Sequence, residues 1–308
     1  LYCDIICAEA AASGCSSLAP QRIERHREGR SVFEMELADK LWVMVNENRT
    51  SDGNTVVIYT DISDIKQRER EITYLAHYDS LTGLANRSTF LGKIEEASAR
   101  HRQWGETFNI FMLDLDRFKN VNDTMGHPAG DVMLKETARR LKGLLRETDV
   151  LARLGGDEFA IIQTVDADQK VLAVELANKI ILAISHPYEL AGNKVPIGVS
   201  VGIATAPDHG VDASDLLKKA DLALYTAKYE GRNDYRFFDD TMGQIADARQ
   251  KIEADLRDAV AQNKLEVHYQ PIVDFTTHEL CGMEALARWR HPEKGLIPPS
   301  EFIPIAEE

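Results

Sequence analysis

Hydrophobic and polar positions alternate along three early runs, Ser31 to Met35, Leu41 to Asn46 and Thr55 to Asp61, separated by polar turns that include Asp52-Gly53. Period-two alternation broken by such turns predicts a small antiparallel sheet. The pattern changes after Asp61-Ile62-Ser63, where Ile65, Ile72 and Leu75 fall at seven- and three-residue spacing on a charged background. That spacing predicts a connecting helix, either paired with another helix or resting on its own domain.

From Thr107 to Phe238 the pattern predicts a strand (Phe108 to Leu115), a helix (Gly130 to Leu145), and two strands (Val150 to Leu154, Glu158 to Thr164) around Gly155-Gly156. A helix (Gln169 to Ser185), a strand (Ile197 to Ala204) and a final helix (Ala213 to Tyr229) follow. The order β-α-β-β-α-β is that of a ferredoxin-like split unit, with helices on one face of an antiparallel central sheet. Nucleotide polymerase palms share this arrangement, and the fold class expected is α+β. A helix from Ile245 to Asn263 and strands from Leu265 to Pro271 and Cys281 to Trp289 open a further unit.

At 308 residues and 44% hydrophobic, the chain can supply cores for two or three units. A formal charge of −14 argues against non-specific nucleic-acid binding, so a phosphate ligand must meet a local basic patch. Cys3, Cys7, Cys15 and Cys281 match no zinc spacing and imply a reduced, intracellular setting. Residues 1–20 lack a basic leading region, and no apolar run reaches membrane-spanning length. A cytoplasmic location without membrane contact is therefore expected for this segment, whatever membrane association a longer parent has. The chain starts at Leu1 and stops at Glu308 inside an apolar-periodic stretch, as a piece of a longer protein would.

Two acidic strand ends carry the candidate chemistry: Ile110 to Asp116 reads Ile-Phe-Met-Leu-Asp-Leu-Asp, and Leu154 to Phe159 reads Leu-Gly-Gly-Asp-Glu-Phe. Magnesium takes carboxylate oxygens and shares them with substrate phosphates, so Asp114, Asp157 and Glu158 are the candidate ligands. A lone acid at a strand end is usually a solvated cap, but two glycines directly before Asp157 weaken that reading. Asp116 to Asp123 follows the first strand, and a strand-to-helix turn aims backbone N–H groups at an anion. Lys228 and Arg232 stand four apart at the end of the last helix, on one face. Such a pair ordinarily complements the helix dipole, but the acids and the anion-binding turn favour a phosphate role.

Several ordered motifs together resemble the GGDEF family of diguanylate cyclases over about residues 77–240. They are Asp79-Ser80-Leu81-Thr82-Gly83-Leu84-Ala85-Asn86-Arg87, Asp114-Leu115-Asp116-Arg117-Phe118-Lys119, Asn122-Asp123, Gly126-His127, Gly130-Asp131, Arg153-Leu154-Gly155-Gly156-Asp157-Glu158-Phe159, and Ala220-Asp221 through Ala227-Lys228 to Gly231-Arg232-Asn233. The resemblance implies condensation of two GTP molecules into cyclic di-GMP with release of two pyrophosphates. It implies Mg²⁺ (or Mn²⁺) bound by Asp114 and Asp157, with the Leu115 carbonyl and Glu158 completing the site. Phe118, Lys119, Gly155, Gly156, Lys228 and Arg232 would contact substrate, and Asn122 and Asp131 would read guanine. An Asp carboxylate can accept from the guanine N1–H and N2–H₂ donors, which adenine does not present. Deprotonation of the attacking 3′-hydroxyl by Glu158 or a nearby carboxylate, and its activation by metal, stand as alternatives. The product's two-fold symmetry makes a homodimer a mechanistic requirement. Arg146-Glu147-Thr148-Asp149 matches the family's RxxD site, which implies product feedback inhibition by cyclic di-GMP through Arg146 and Asp149.

The flanks carry further resemblances. After a leading segment at 1–30 that is open to disorder, residues 31–63 look like the last strands of a PAS sensor domain. A signalling helix at 64–78 leads into the GGDEF domain at 79–240. Residues 241–308 resemble a linker helix and the truncated start of an EAL phosphodiesterase barrel, in which Glu284 would bind metal while Gln270 and Arg288 would contact cyclic di-GMP. The absent barrel strands put hydrolysis beyond this fragment. An active cyclase is the favoured reading. The alternative is a catalytically silent GGDEF domain that binds GTP or cyclic di-GMP and regulates an adjoining phosphodiesterase.

Overall fold

The structure, a computed structural model, describes residues 30–37, 41–165 and 168–306. Cys3, Cys7 and Cys15, and nearly all of the leading segment expected to be open to disorder, lie outside the described residues. Cys281 is a free, exposed thiol. The chain divides into two compact units, Leu1–Gly83 and Leu84–Glu308.

In the first unit β1 (Arg30–Glu36), β2 (Trp42–Arg49) and β3 (Thr55–Asp61) form an antiparallel sheet with β2 in the centre. Alternation along β2 buries Val43, Val45 and Glu47 on one face, as the period-two pattern requires. The helix α1 (Ser63–His77) buries none of its residues, and Ile65, Ile72 and Leu75 are all exposed. Lys66 and Arg70 of α1 lie over the Trp42 ring, 5.7 and 5.6 Å from its centre.

The second unit is built on a five-stranded sheet of order β10-β9-β4-β6-β5. Its strands are β4 (Thr107–Leu115), β5 (Val150–Gly155), β6 (Glu158–Val165), β9 (Val199–Ala206) and β10 (Tyr235–Phe237). All neighbours are antiparallel except β10 with β9. The β-α-β-β-α-β core and antiparallel centre match the expected α+β, palm-like class, but helices cover both faces. On one face α2 (Arg87–Trp104) and α6 (Ala213–Tyr229) pack Phe90, Ile94, Leu216, Ala220 and Leu224 against Ile110, Met112, Ala160, Ile162 and Ala204. The alternate positions Phe111, Leu113, Phe159, Ile161, Val201 and Ile203 are also buried. They form the opposite face, where α5 (Gln169–Ser185) contacts β4, β6 and β9, and α4 (His127–Lys142) contacts α5. Central strands buried on both sides show little alternation, which is the pattern of two covered faces, whereas the one-sided expectation rested on the order of elements.

Several elements were not anticipated: α2, the short helix α3 (Phe118–Met125), the hairpin of β7 (Tyr188–Leu190) with β8 (Asn193–Val195), and β10. In α2 the buried positions Phe90, Ile94, Ala97 and Ser98 are few and partly small, which leaves its period faint. The helix α4 begins at His127, three residues earlier than expected, because Gly126 turns the chain at φ 82° and Pro128 fits the first helical turn.

Beyond β10, α7 (Met242–Ala261) packs Ile252, Leu256 and Ala259 against Trp289, Ile297 and Phe302. These come from β12 (Leu280–His291), β13 (Gly295–Ile297) and α8 (Pro299–Ala306), and β11 (Leu265–Val273) pairs antiparallel with β12. The three strands close no barrel among the described residues. No helix among them is long and apolar enough to cross a membrane.

One contact fixes α6 on the sheet. A Cβ at Gly202 would lie 2.1 Å from the Ala220 carbonyl oxygen and 2.2 Å from the Leu224 nitrogen, so helix and strand touch backbone to backbone. Backbone atoms cannot yield as a flexible side chain can. Gly202→Ala is expected to cost about 1–3 kcal/mol or more of unfolding free energy in denaturant titrations, and a stability equal to the unsubstituted chain would contradict this packing.

Candidate active site

Alternation on β4 places Asp114 on the face that Ile110 and Met112 turn towards α6. In register, Asp114 stands opposite Glu158 on β6 and opposite Ser200 on β9. Directly opposed side chains on one sheet face lie within contact of each other. Asp157 precedes Glu158 in the β5–β6 hairpin, whose glycines Gly155 and Gly156 take φ of 149° and 51°. Those values favour glycine, which brings the hairpin backbone to the mouth of the site without side chains. Arg153 braces this turn: its Nε and Nη2 donate to the Gly156 carbonyl oxygen at 3.0 and 2.7 Å.

The stripe Leu216, Ala220, Leu224 on α6 faces the core, and the next position at helical spacing is Lys228. Its Nζ lies 2.7 Å from Asp114 Oδ2. Burial pushes the Asp114 carboxyl up to about 6, with Asp157 and Glu158 adding to the rise and Lys228 opposing it. Three carboxylates thus draw together around a strand end with one ammonium among them. Carboxylate oxygens with a strand-end carbonyl at Leu115 are the hard donors that a divalent cation prefers. Among the described residues no three His, Cys, Asp or Glu side chains already stand at ligand spacing, so the acids approach without closing around one point.

The segment after β4 is not a bare turn. Arg117, at φ 60°, leads straight into α3, whose N-terminus carries no side-chain cap. Phe118 and Lys119 therefore supply the first N–H groups of a helix. The buried Phe118 packs inward, and a Cβ at Gly130 would meet Asn122 Oδ1 at 2.1 Å and Phe118 Cζ at 3.0 Å. This close approach of α3 to α4 sets the half-buried Asn122 beside the exposed Asp131.

Arg232 departs from the sequence expectation. The helix α6 ends at Tyr229, Gly231 takes φ 136°, and Arg232 sits in a left-handed turn at φ 63°. It does not share a helical face with Lys228 but is carried on the loop that follows. Asp116, Ser200 and Asn233 also adjoin the site, and no role for them was read from sequence.

Arg146 and Asp149 close a turn on each other. The Arg146 N–H donates to Asp149 Oδ2 at 3.0 Å and the Asp149 N–H to the Arg146 carbonyl at 3.1 Å, while Asp149 Oδ1 is buried with no hydrogen-bond partner. In the segment beyond α7, Gln270 and Glu284 are opposed in register and both exposed, and Arg288 lies opposite Glu266 on the same face.

A family model described as diguanylate cyclase, GGDEF domain, matches residues 76–234, about half of the chain. The chain belongs to the GGDEF family. An EAL domain model matches residues 253–308. Among similar proteins, the bifunctional diguanylate cyclase/cyclic di-GMP phosphodiesterase MucR of Pseudomonas aeruginosa is 39% identical over 88% of this chain and 39% of its own length. The cyclic di-GMP phosphodiesterase NbdA of the same organism is 36% identical over 85% of this chain and 33% of its own. The chain thus spans between a third and two fifths of the length of these relatives. A solved GGDEF domain of TpbB (YfiN) from Pseudomonas aeruginosa is 38% identical, covering 56% of this chain and 99% of that one at a TM-score of 0.54. The GGDEF family generally uses a divalent metal.

The raised Asp114 carboxyl has a consequence for stability. Between its ordinary value of 3.8 and about 6, the folded GGDEF domain holds a proton that the unfolded chain releases, so this group's contribution to stability falls as pH rises across that window. In chelator-treated protein, Asp114→Asn is expected to gain stability relative to the unsubstituted chain from pH 4 to 6, by about 1–3 kcal/mol, and to change little above pH 7. Denaturant midpoints over that range measure the difference; a difference that does not vary with pH would refute the assignment.

Proposed function

We propose that this GGDEF domain condenses two GTP molecules into cyclic di-GMP and two pyrophosphates, as a homodimer with one GTP per domain. The observation that carries this reading is the register that opposes Asp114 to Glu158, with Asp157 adjacent in the glycine hairpin. In each half-reaction a ribose 3′-oxygen bonds to the α-phosphorus of the other GTP. The bond from that phosphorus to the α,β-bridging oxygen breaks, pyrophosphate leaves with the electron pair, and the hydroxyl proton passes to solvent or a basic group. Two domains facing each other about a two-fold axis give both bonds.

In this reading the first N–H groups of α3, at Phe118 and Lys119, take phosphate oxygens, and Lys228 and Arg232 balance the triphosphate charge. Gly155 and Gly156 let the hairpin backbone approach, while Asn122 and Asp131 discriminate guanine from adenine. Asp114, Asp157, Glu158 and the Leu115 carbonyl would hold Mg²⁺ or Mn²⁺, which supplies positive charge and orientation at the reacting phosphate. Cyclic di-GMP inhibits through Arg146, whose guanidinium can fork onto phosphate or the guanine Hoogsteen edge, and Asp149, whose Oδ2 holds the Arg146 backbone N–H. Residues 31–63 are taken as a PAS-like remnant, supported by their three-stranded sheet leading into α1, and the fragment as cytoplasmic. Gln270, Glu284 and Arg288 are proposed as cyclic di-GMP and metal contacts of a completed EAL barrel.

One observation favours a second reading. NbdA, named a phosphodiesterase, is about as similar to this chain as MucR, whose name carries both activities. A GGDEF domain that binds GTP or cyclic di-GMP only to regulate an adjoining EAL domain accommodates that.

Purified protein incubated with GTP and Mg²⁺, with nucleotides resolved chromatographically, separates the two. The unsubstituted chain is expected to form cyclic di-GMP, and Asp157→Ala, Glu158→Ala to lose at least about 100-fold of the rate, the scale for removal of metal and charge stabilisation. GTP binding without product would support the regulatory reading instead. In the same assay Arg146→Ala is expected to keep the initial rate and relieve inhibition by added cyclic di-GMP by about tenfold, the scale of one charge-assisted contact. Unchanged inhibition would remove Arg146 from the product site.

A further inference from the structure

Asp116 stands two residues beyond Asp114, at the turn from β4 into α3, and the proposed chemistry leaves it without a role. Its carboxylate is nevertheless fully engaged. Oδ1 accepts from Ser200 Oγ at 2.7 Å, and Oδ2 accepts from the Asn233 backbone N–H at 2.8 Å. Its own N–H donates to the Gly198 carbonyl at 2.9 Å. The fit is tight: a Cβ at Gly198 would lie 2.6 Å from Asp116 Oδ2.

The Asn233 end of this clasp is a loop that needs holding. Gly231, Arg232 and Asn233 take φ of 136°, 63° and 49° in succession. For a side-chain-bearing residue each left-handed position is disfavoured, and two together persist only where surrounding bonds determine them. Those bonds are present. Besides the Asp116 contact, Asn233 Oδ1 accepts from Ser185 Oγ at 3.0 Å and from the Val199 N–H at 3.4 Å, and the Arg232 N–H donates to the Ala227 carbonyl at 3.1 Å. Asp116 is the one charged acceptor in this set, and a charge-assisted bond is about twice as strong as a neutral one. Arg232 lies between the clasped Asn233 and the end of α6, and with Asp116 it lines an open cleft of about 770 Å³.

We infer that Asp116 is a positioning residue that acts through Arg232, locking the loop after α6 so that the guanidinium meets the triphosphate. The inference rests on the proposed assignment of Lys228 and Arg232 to triphosphate. It separates two parts of the substrate. The clasp bears on the phosphate end, whereas Asn122 and Asp131 lie on α3 and α4 and make none of its bonds.

The test uses the full chain with Mg²⁺ and two probes: 3′-deoxy-GTP, which lacks the attacking hydroxyl, and GMP, which lacks the terminal phosphates. Asp116→Asn keeps the shape but puts an amide where two donors converge. It is expected to weaken 3′-deoxy-GTP binding about tenfold while GMP binding stays within about twofold, the scale of one lost charge-assisted contact. In an Arg232→Ala background the same change is expected to add nothing, because its effect passes through that side chain. Equal losses for both probes, no loss for either, or full additivity with Arg232→Ala would each overturn the inference. Should Asp116→Asn unfold the chain, Ser200→Ala decides, with an expected two- to threefold loss confined to 3′-deoxy-GTP; no such loss overturns the role. Failure of the unsubstituted chain to bind 3′-deoxy-GTP overturns the triphosphate assignment itself, and the inference with it.

Discussion

A carboxylate held at the buried end of a central strand governs this molecule's candidate site. Asp114 is only 13% exposed at its side chain, and with Glu158 opposite and Asp157 beside it the local charge opposes ionisation. Isolated, such a group would simply stay protonated at neutral pH. The fold answers with Lys228, and through it with the whole of α6, since Lys228 reaches Asp114 only because the stripe from Leu216 to Leu224 is pressed against the sheet. The absence of a side chain at Gly202 permits that approach. Packing and charge therefore depend on one another: the core contact aims the ammonium, and the ammonium makes the buried acid tolerable.

Much of this was legible in the sequence, and the reason is periodicity. Alternation puts Asp114 on the face of its strand that carries Ile110 and Met112, and two glycines before Asp157 announce a hairpin whose backbone must come close to something. The acids, the helix α6 and the antiparallel order follow from patterns that extend only a few residues. What escaped has a different origin. The Asp116 contacts with Ser200 and Asn233 join residues 84 and 117 positions apart, and no local spacing encodes such a meeting. Arg232 shows how a local pattern misleads: four residues from Lys228 implies a shared helical face, but Gly231 ends the helical geometry and the chain turns left-handed. The covering of both sheet faces escaped because the one-sided arrangement was taken from the order of elements, whereas β9, buried at every position, is the kind of strand that covering on both faces produces.

The EAL-matching segment shows the same contrast. Two of its three strands, Leu265 to Pro271 and Cys281 to Trp289, were foreseen and β13 was not, and register sets Gln270 opposite Glu284. Yet Val267, Tyr269 and Met283 are exposed although they share a face with Leu265 and Trp289, so the core against α7 covers only one end of the strand pair. An antiparallel strand pair with one packed side is stable as a local element. The EAL-matching segment therefore brings candidate contact residues to one surface without enclosing them.

The helix α6 is constrained along its length, and this limits what can vary at the site. Gly202 fixes its middle, the Asp116 clasp fixes the loop beyond its end, and Arg249 of α7 lies over the rings of Tyr225 and Tyr229, 5.5 and 4.6 Å from their centres. With the backbone so held, the adjustable part is the Lys228 side chain, a flexible four-carbon arm whose head is a strongly hydrated point charge. Under the proposed reading, Asp114 would hold a divalent cation through the carboxylate that the Lys228 ammonium contacts in this structure. Lys228, released from that pair, would be free to balance phosphate charge. Cation and triphosphate would then be linked through this one pair of an acid and a base.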